Sequence, residues 1–70
     1  MAGEGGGKDP VVDLVHELRT PLAVVAGFAE LLDRNGQTLN VEQRADYLHR
    51  IAEGAKQLSE ILDRARREVE

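Results

Sequence analysis

The sequence predicts an all-α protein: an antiparallel helical hairpin that homodimerises into a four-helix bundle. Phe28 and Tyr47 are the only aromatic residues in a chain of 70, and this composition is typical of helical bundles rather than sheets. Apolar residues recur at alternating intervals of four and three residues in two long stretches, which a Gly-containing connection separates. A chain this short and without cysteine buries too little surface to be comfortably stable alone, so association is expected.

Two short segments define where the fold begins. Residues 1–8 contain four glycines and no apolar periodicity, and we interpret them as a flexible Gly-rich leader or a remnant of cloning. Asp9 can accept hydrogen bonds from free helix amides, and Pro10 at the first helical turn loses no hydrogen bond. The helical hairpin is therefore assigned to residues 9–70, with helix one at about residues 10–34.

Helix one carries an apolar seam in the repeat of a left-handed coiled coil. The seam residues are Val11, Val15, Leu18, Leu22, Val25, Ala29 and Leu32. Asn35 and Gly36 are expected to end the helix, with the glycine in the left-handed conformation that many helix C-termini adopt. The connection to helix two then covers about residues 35–40.

Helix two, at about residues 41–68, is predicted from a capping pair and a second seam. Asn40 and Gln43 have the spacing for the reciprocal hydrogen bonds of a capping box. The seam residues are Leu48, Ile51, Ala55, Leu58, Leu62, Ala65 and Val69. Arg64 is expected to pair with Glu60, four residues earlier, on a solvated face.

Apolar residues beside the two seams indicate that one partner helix cannot cover either helix. Leu14, Pro21 and Phe28 repeat every seven residues beside the first seam, and Ile61 widens the second. A second hairpin would cover these residues in a four-helix bundle. We therefore expect a homodimer.

Composition argues against several other classes of protein. The net charge of -4 without a basic stripe argues against nucleic-acid binding. No apolar run approaches the roughly 20 residues of a membrane span, and the N-terminus lacks the apolar core of a signal peptide. We expect a cytoplasmic chain without membrane contact of its own, and leave open whether a full-length protein is membrane-anchored. Because His16 and His49 lie 33 positions apart and cysteine is absent, no metal site is predicted.

Residues 16–22 read His-Glu-Leu-Arg-Thr-Pro-Leu, within a long amphipathic helix that a second such helix follows. This segment resembles the H-box of the dimerisation and histidine-phosphotransfer (DHp, HisKA-type) domain of two-component sensor histidine kinases. The resemblance extends over about residues 9–68, although Val15 stands where serine is frequent. It implies that His16 accepts the γ-phosphoryl group of ATP from a separate catalytic domain and passes it to an aspartate of a response regulator. Phosphatase activity toward that regulator is a further hypothesis.

The resemblance also implies roles for the neighbours of His16. Because His16 directly follows seam residue Val15, its imidazole is expected at the solvent-exposed flank. Glu17 would be the general base or the hydrogen-bond partner of the imidazole, and Thr20 would orient water for phosphatase activity. Pro21 would bend the helix below the histidine. The alternatives are an ordinary exposed glutamate, a threonine bonded to its own backbone and a tolerated kink.

A weakly polar face of helix one is the predicted contact for the receiver domain of the regulator. By resemblance, its residues are Arg19, Val24, Gly27, Phe28 and Leu31. An exposed patch of this kind suggests a protein partner. The bundle core is the alternative for Phe28, and a solvent role is the alternative for Arg19.

The chain contains no Gly-rich phosphate loop and no asparagine-rich nucleotide box. We therefore expect it to bind no cofactor and to be inactive as a kinase alone, with Mg·ATP bound by the catalytic domain of the same kinase. Its predicted partners are a second copy, that catalytic domain and the receiver domain. The alternative functions are a dimeric four-helix docking module that is never phosphorylated and a purely structural coiled coil.

Overall fold

The computed structural model describes residues 9–69, which form two long helices and a short connection. Helix α1 spans Pro10–Asn35 and helix α2 spans Val41–Val69. The bounds predicted from the sequence lie within one residue of these. The leader predicted at residues 1–8 lies outside the described residues.

The two helices pack against each other as an antiparallel hairpin. The contacts that join them include Glu17 with Arg64, Pro21 with Gly54, and Phe28 with Tyr47. Residue numbers therefore fall along α2 as they rise along α1. This arrangement confirms the predicted all-α hairpin.

Both helix starts are capped by side chains, as the sequence predicted. One carboxylate oxygen of Asp9 accepts hydrogen bonds from the amides of Val11 at 2.9 Å and Val12 at 3.4 Å. At the start of α2, the amide of Gln43 donates to the side chain of Asn40 at 2.7 Å, and the amide of Asn40 donates to the side chain of Gln43 at 3.0 Å. These bonds satisfy amides that have no partner within the helix.

The end of α1 differs from the prediction. Gly36 has φ of -57° and ψ of -33°, which is right-handed, so the expected left-handed conformation is wrong. The carbonyl oxygen of Asn35 instead accepts from the amides of Thr38 at 3.0 Å and Leu39 at 3.2 Å. The guanidinium of Arg44 donates to the carbonyl oxygen of Gly36. Because these donors satisfy the free carbonyls, the chain does not need a left-handed cap at this position.

The predicted seams divide into two rows with different environments. We call hairpin rows the residues that are buried or half-buried where the helices meet. On α1 the hairpin row is Leu14, Leu18, Pro21, Val25, Phe28 and Leu32, and on α2 it is Tyr47, Ile51, Gly54, Leu58, Ile61 and Ala65. Residues that the sequence placed beside the seams, such as Leu14, Phe28 and Ile61, thus belong to the contact between the helices.

The remaining seam residues stay exposed, and we call them the outer rows. They are Val11, Val15, Leu22 and Ala29 on α1, and Leu48, Ala55, Leu62 and Val69 on α2. Leu22 is 54% exposed and Leu62 is 50% exposed. Successive helix residues are rotated by about 100°, so both outer rows project from the same side of the antiparallel hairpin. That side of the hairpin is a continuous apolar face.

Candidate functional site

His16 lies in the second turn of α1 and is exposed. Its neighbours Leu14 and Leu18 face α2, and the rotation of about 100° per residue places His16 on the opposite side of α1. The imidazole is therefore accessible from outside the hairpin. It also lies away from the apolar face that the outer rows form.

Thr20 shares this exposed side of α1, one turn after His16. Within residues 9–69, no hydrogen bond joins the Thr20 hydroxyl to the helix backbone, whereas the hydroxyl of Thr38 does bond to the carbonyl of Asn35 at 2.9 Å. Thr20 is thus an exposed residue on the same side of α1 as the imidazole, and its hydroxyl has no partner in the helix backbone among the described residues. Its position allows contact with water beside His16.

Glu17 contacts the second helix rather than the neighbouring histidine. Its carboxylate accepts a hydrogen bond from the guanidinium of Arg64 at 2.8 Å, although the two residues are 47 positions apart. Each of the two side chains is about half exposed. In the part of the chain that the structure describes, no hydrogen bond joins His16 to Glu17.

The sequence-based pairing of Arg64 with Glu60 is wrong. Arg64 lies next to hairpin-row residues Ile61 and Ala65, so its long side chain reaches across to α1 and its guanidinium meets Glu17. The spacing of four residues indicates only which residues can meet within one helix. No local pattern identified Arg64 as a neighbour of the H-box.

Pro21 is buried, and α1 continues through it. It packs against Gly54, the other buried residue of the described chain. An added Cβ at Gly54 would lie 2.7 Å from Cγ2 of Val25 and 3.1 Å from the carbonyl oxygen of Pro21. The helices therefore approach closely beside the proline, and an isolated glycine inside a helix was the available sequence signal for this. The bend predicted at Pro21 stays a prediction.

The residues predicted to dock a receiver domain divide into two groups. Arg19, Val24, Gly27 and Leu31 are exposed. Phe28 instead lies in the hairpin row, with its ring centroid 5.1 Å from that of Tyr47 and the guanidinium of Arg50 5.4 Å from the ring centre. This position corresponds to the core alternative for Phe28.

A polar groove runs along α2 beside the exposed part of this face. It is lined by Val24, Asp46, His49, Arg50, Glu53 and Gln57, together with Gly54. Asp46 accepts from Arg50 at 3.0 Å, and His49 lies 4.0 Å from Glu53. The groove lies on the side of the hairpin opposite the apolar face.

Neither α1 nor α2 is apolar over a stretch long enough for a transmembrane segment.

Comparisons with known proteins agree with the family resemblance that residues 16–22 indicate. Residues 11–68 match the family described as His Kinase A (phospho-acceptor) domain. The chain is also 34% identical over 55 residues to the sensor protein VanS of Enterococcus faecium, and this region makes up 79% of the chain and 14% of VanS. No solved structure matches the chain significantly. Because the family match covers most of its length, the chain belongs to the His Kinase A phospho-acceptor domains of sensor histidine kinases.

Proposed function

We propose that this chain is the phosphoacceptor and dimerisation domain of its kinase, and that His16 is the residue that becomes phosphorylated. The exposed position of His16 within the H-box segment, on the side of α1 opposite to α2, carries the proposal. A neutral imidazole in that position offers a ring nitrogen with a free lone pair. Phosphoryl transfer depends mainly on positioning and charge stabilisation, and a residue on a long helix can be held in place for it.

In the proposed reaction, the catalytic domain of the same kinase presents the γ-phosphoryl group of Mg·ATP to His16. One ring nitrogen attacks the γ-phosphorus and forms a nitrogen–phosphorus bond, while the bond to the bridging oxygen breaks and ADP leaves. Glu17 accepts a hydrogen bond or a proton from the other ring nitrogen. The phosphoryl group then passes to a carboxylate oxygen of an aspartate in the receiver domain, and His16 is regenerated.

Thr20 is proposed to support the reverse outcome, dephosphorylation of the receiver. Thr20 is exposed on the same side of α1 as His16, which would allow its hydroxyl to hold a water molecule against a phosphoaspartate. In this reaction the water oxygen attacks phosphorus, and inorganic phosphate and the free aspartate are the products. Thr20 orients the water and is not consumed.

The outer rows are the proposed dimer interface. A hairpin that leaves Val15, Leu22, Leu48 and Leu62 about half exposed has not covered its apolar surface. Burial of such side chains is the dominant favourable term in association. A second copy that places the same face against this one forms the four-helix bundle and leaves His16 accessible.

The proposed receiver contact is the exposed face of α1 below Thr20. Val24 and Leu31 are 36% and 38% exposed there. Gly27 lies between them and has no side chain, so the helix backbone is open to a partner at this position. Arg19 adds a positive charge near His16 for an acidic partner surface. A receiver bound at this face would place its aspartate next to the phosphorylated imidazole.

Phosphorylation by a separate catalytic domain tests the proposed function. The chain is incubated with a histidine-kinase catalytic domain and labelled Mg·ATP, and the label on the chain is tested for stability in acid and base. We expect acid-labile, base-stable label that His16→Gln abolishes and that the control His49→Gln retains. Label that persists in the His16→Gln variant would overturn the assignment of His16.

A further inference from the structure

We propose that Arg64 is a positioning residue that withholds the Glu17 carboxylate from His16 in the hairpin as it stands. This proposal rests on the proposed function, because it concerns the group that assists attack by His16. The observation that supports it is the hydrogen bond of 2.8 Å from the Arg64 guanidinium to the Glu17 carboxylate. It gives the second helix control over the reactivity of a histidine on the first.

The direction of the Glu17 side chain follows from helix geometry. Glu17 lies about 100° around α1 from His16, on the flank next to α2. To reach the imidazole, its carboxylate must turn away from α2, and to reach Arg64 it must turn toward α2. One side-chain conformation does not serve both partners, so Arg64 and His16 compete for the same carboxylate.

The environment of the pair suits reversible exchange. The side chains of Glu17 and Arg64 are 51% and 50% exposed, so water screens their attraction. Exposed ion pairs contribute little to the free energy of folding because solvent screening and side-chain entropy oppose them. The other ion pairs among residues 9–69 join positions four apart in one helix, whereas this pair spans both helices.

Because the pair spans the hairpin, it responds to the position of one helix relative to the other. Rotation or sliding of α2 would separate the guanidinium from the carboxylate and release Glu17 toward His16. The exposed position of His16 itself does not depend on this movement. Arg64 therefore controls whether the Glu17 carboxylate assists the imidazole, and it does not change the accessibility of His16.

A cycle of four proteins measures this competition: the unchanged chain, Arg64→Gln, Glu17→Gln and the double variant. Phosphoramidate, a small phosphoryl donor, replaces the catalytic domain, and phosphorylation of His16, measured separately from that of the exposed His49, reports the reactivity of the His16 imidazole. We expect Arg64→Gln to raise the rate by about two- to fivefold, the range that the free energy of an exposed ion pair allows. In the Glu17→Gln background, the same substitution should have no effect.

Two further variants separate positioning from general effects of charge. Arg64→Lys keeps a cation that can pair with Glu17, so it should restore the rate of the unchanged chain. Arg66→Gln removes an equal charge from an exposed position near the same end of α2 and should leave the rate unchanged. An unchanged or lower rate in Arg64→Gln, or an equal increase in the Glu17→Gln background, would overturn the proposal.

Nitrogen-15 NMR of the imidazole rings gives a readout that needs no phosphoryl transfer. Release of Glu17 should shift the His16 ring-nitrogen signals in Arg64→Gln and not in the double variant, with His49 as the internal control. Unchanged His16 signals in Arg64→Gln would contradict the competition. Because this result is independent of kinase chemistry, failure of the proposed function and failure of this inference are distinguishable.

Discussion

Replacement of Gly54 by alanine isolates the cost of the close approach between the helices. An alanine Cβ at position 54 would lie 2.7 Å from Cγ2 of Val25 and 3.1 Å from the carbonyl oxygen of Pro21. Val25 is β-branched and has little χ1 freedom in a helix, and the Pro21 oxygen belongs to the backbone, so neither atom moves easily. Overpacking of this kind costs about 1–3 kcal/mol.

Gly27→Ala is the matched control, because a Cβ at position 27 meets nothing within 4 Å. Both substitutions gain about 1 kcal/mol of helix propensity. We therefore expect Gly27→Ala to raise the free energy of unfolding by about 1 kcal/mol and Gly54→Ala to lower it by up to about 2 kcal/mol. The difference between the variants, about 1–3 kcal/mol, is the packing cost alone.

Urea denaturation followed by circular dichroism measures this difference. All proteins must be compared at one protomer concentration, since association contributes to the apparent stability. If Gly54→Ala stabilises the chain as much as Gly27→Ala does, the close approach at Pro21 does not constrain the hairpin, and the packing cost expected for a Cβ at position 54 is refuted.

Three other substitutions test separate parts of the structure. Leu62→Glu places a charge in the outer row, so sedimentation should shift from dimer toward monomer mass, whereas Gln57→Glu in the polar groove should leave the dimer intact. Thr20→Ala should abolish dephosphorylation of a phosphorylated receiver domain, while His16 still accepts phosphate. Unchanged phosphatase activity would show that the Thr20 hydroxyl does not orient the attacking water. Asp9→Ala should lower the free energy of unfolding by about 1 kcal/mol through loss of the cap, while Asp9→Asn should retain most of the stability.

Features that depend on neighbouring residues were predictable from the sequence. The caps at Asp9 and Asn40 follow from side chains within three residues of the amides they bind, so the helix starts were correct. The end of α1 was predicted less well, because its carbonyls are satisfied by donors beyond the helix, among them Arg44, eight residues from Gly36. At Gly36 such donors take the place of the left-handed cap that a glycine after a helix often provides.

Features that depend on contacts between the helices were less predictable. Spacing of four and three residues identified apolar positions on each helix, but it did not separate those that meet the other helix from those that face outward. The Arg64 contact with Glu17 was missed for the same reason, since no periodicity relates positions 47 residues apart. In the candidate site, the H-box segment predicts His16 as the phosphoacceptor, whereas the environment of Glu17 required the fold.

The two apolar rows of each helix explain how one short hairpin can associate and keep its histidine accessible. The hairpin rows hold α1 against α2, and the outer rows form an apolar face on one side of the pair. Glu17, Arg64 and the polar groove lie on the other side, and His16 is exposed on the side of α1 opposite to α2. A second copy bound at the apolar face would therefore cover neither the imidazole nor the ion pair. Movement of the helices within such a dimer would break the contact between Glu17 and Arg64 without burying His16, so the proposed dimerisation and the proposed control of reactivity would use separate surfaces.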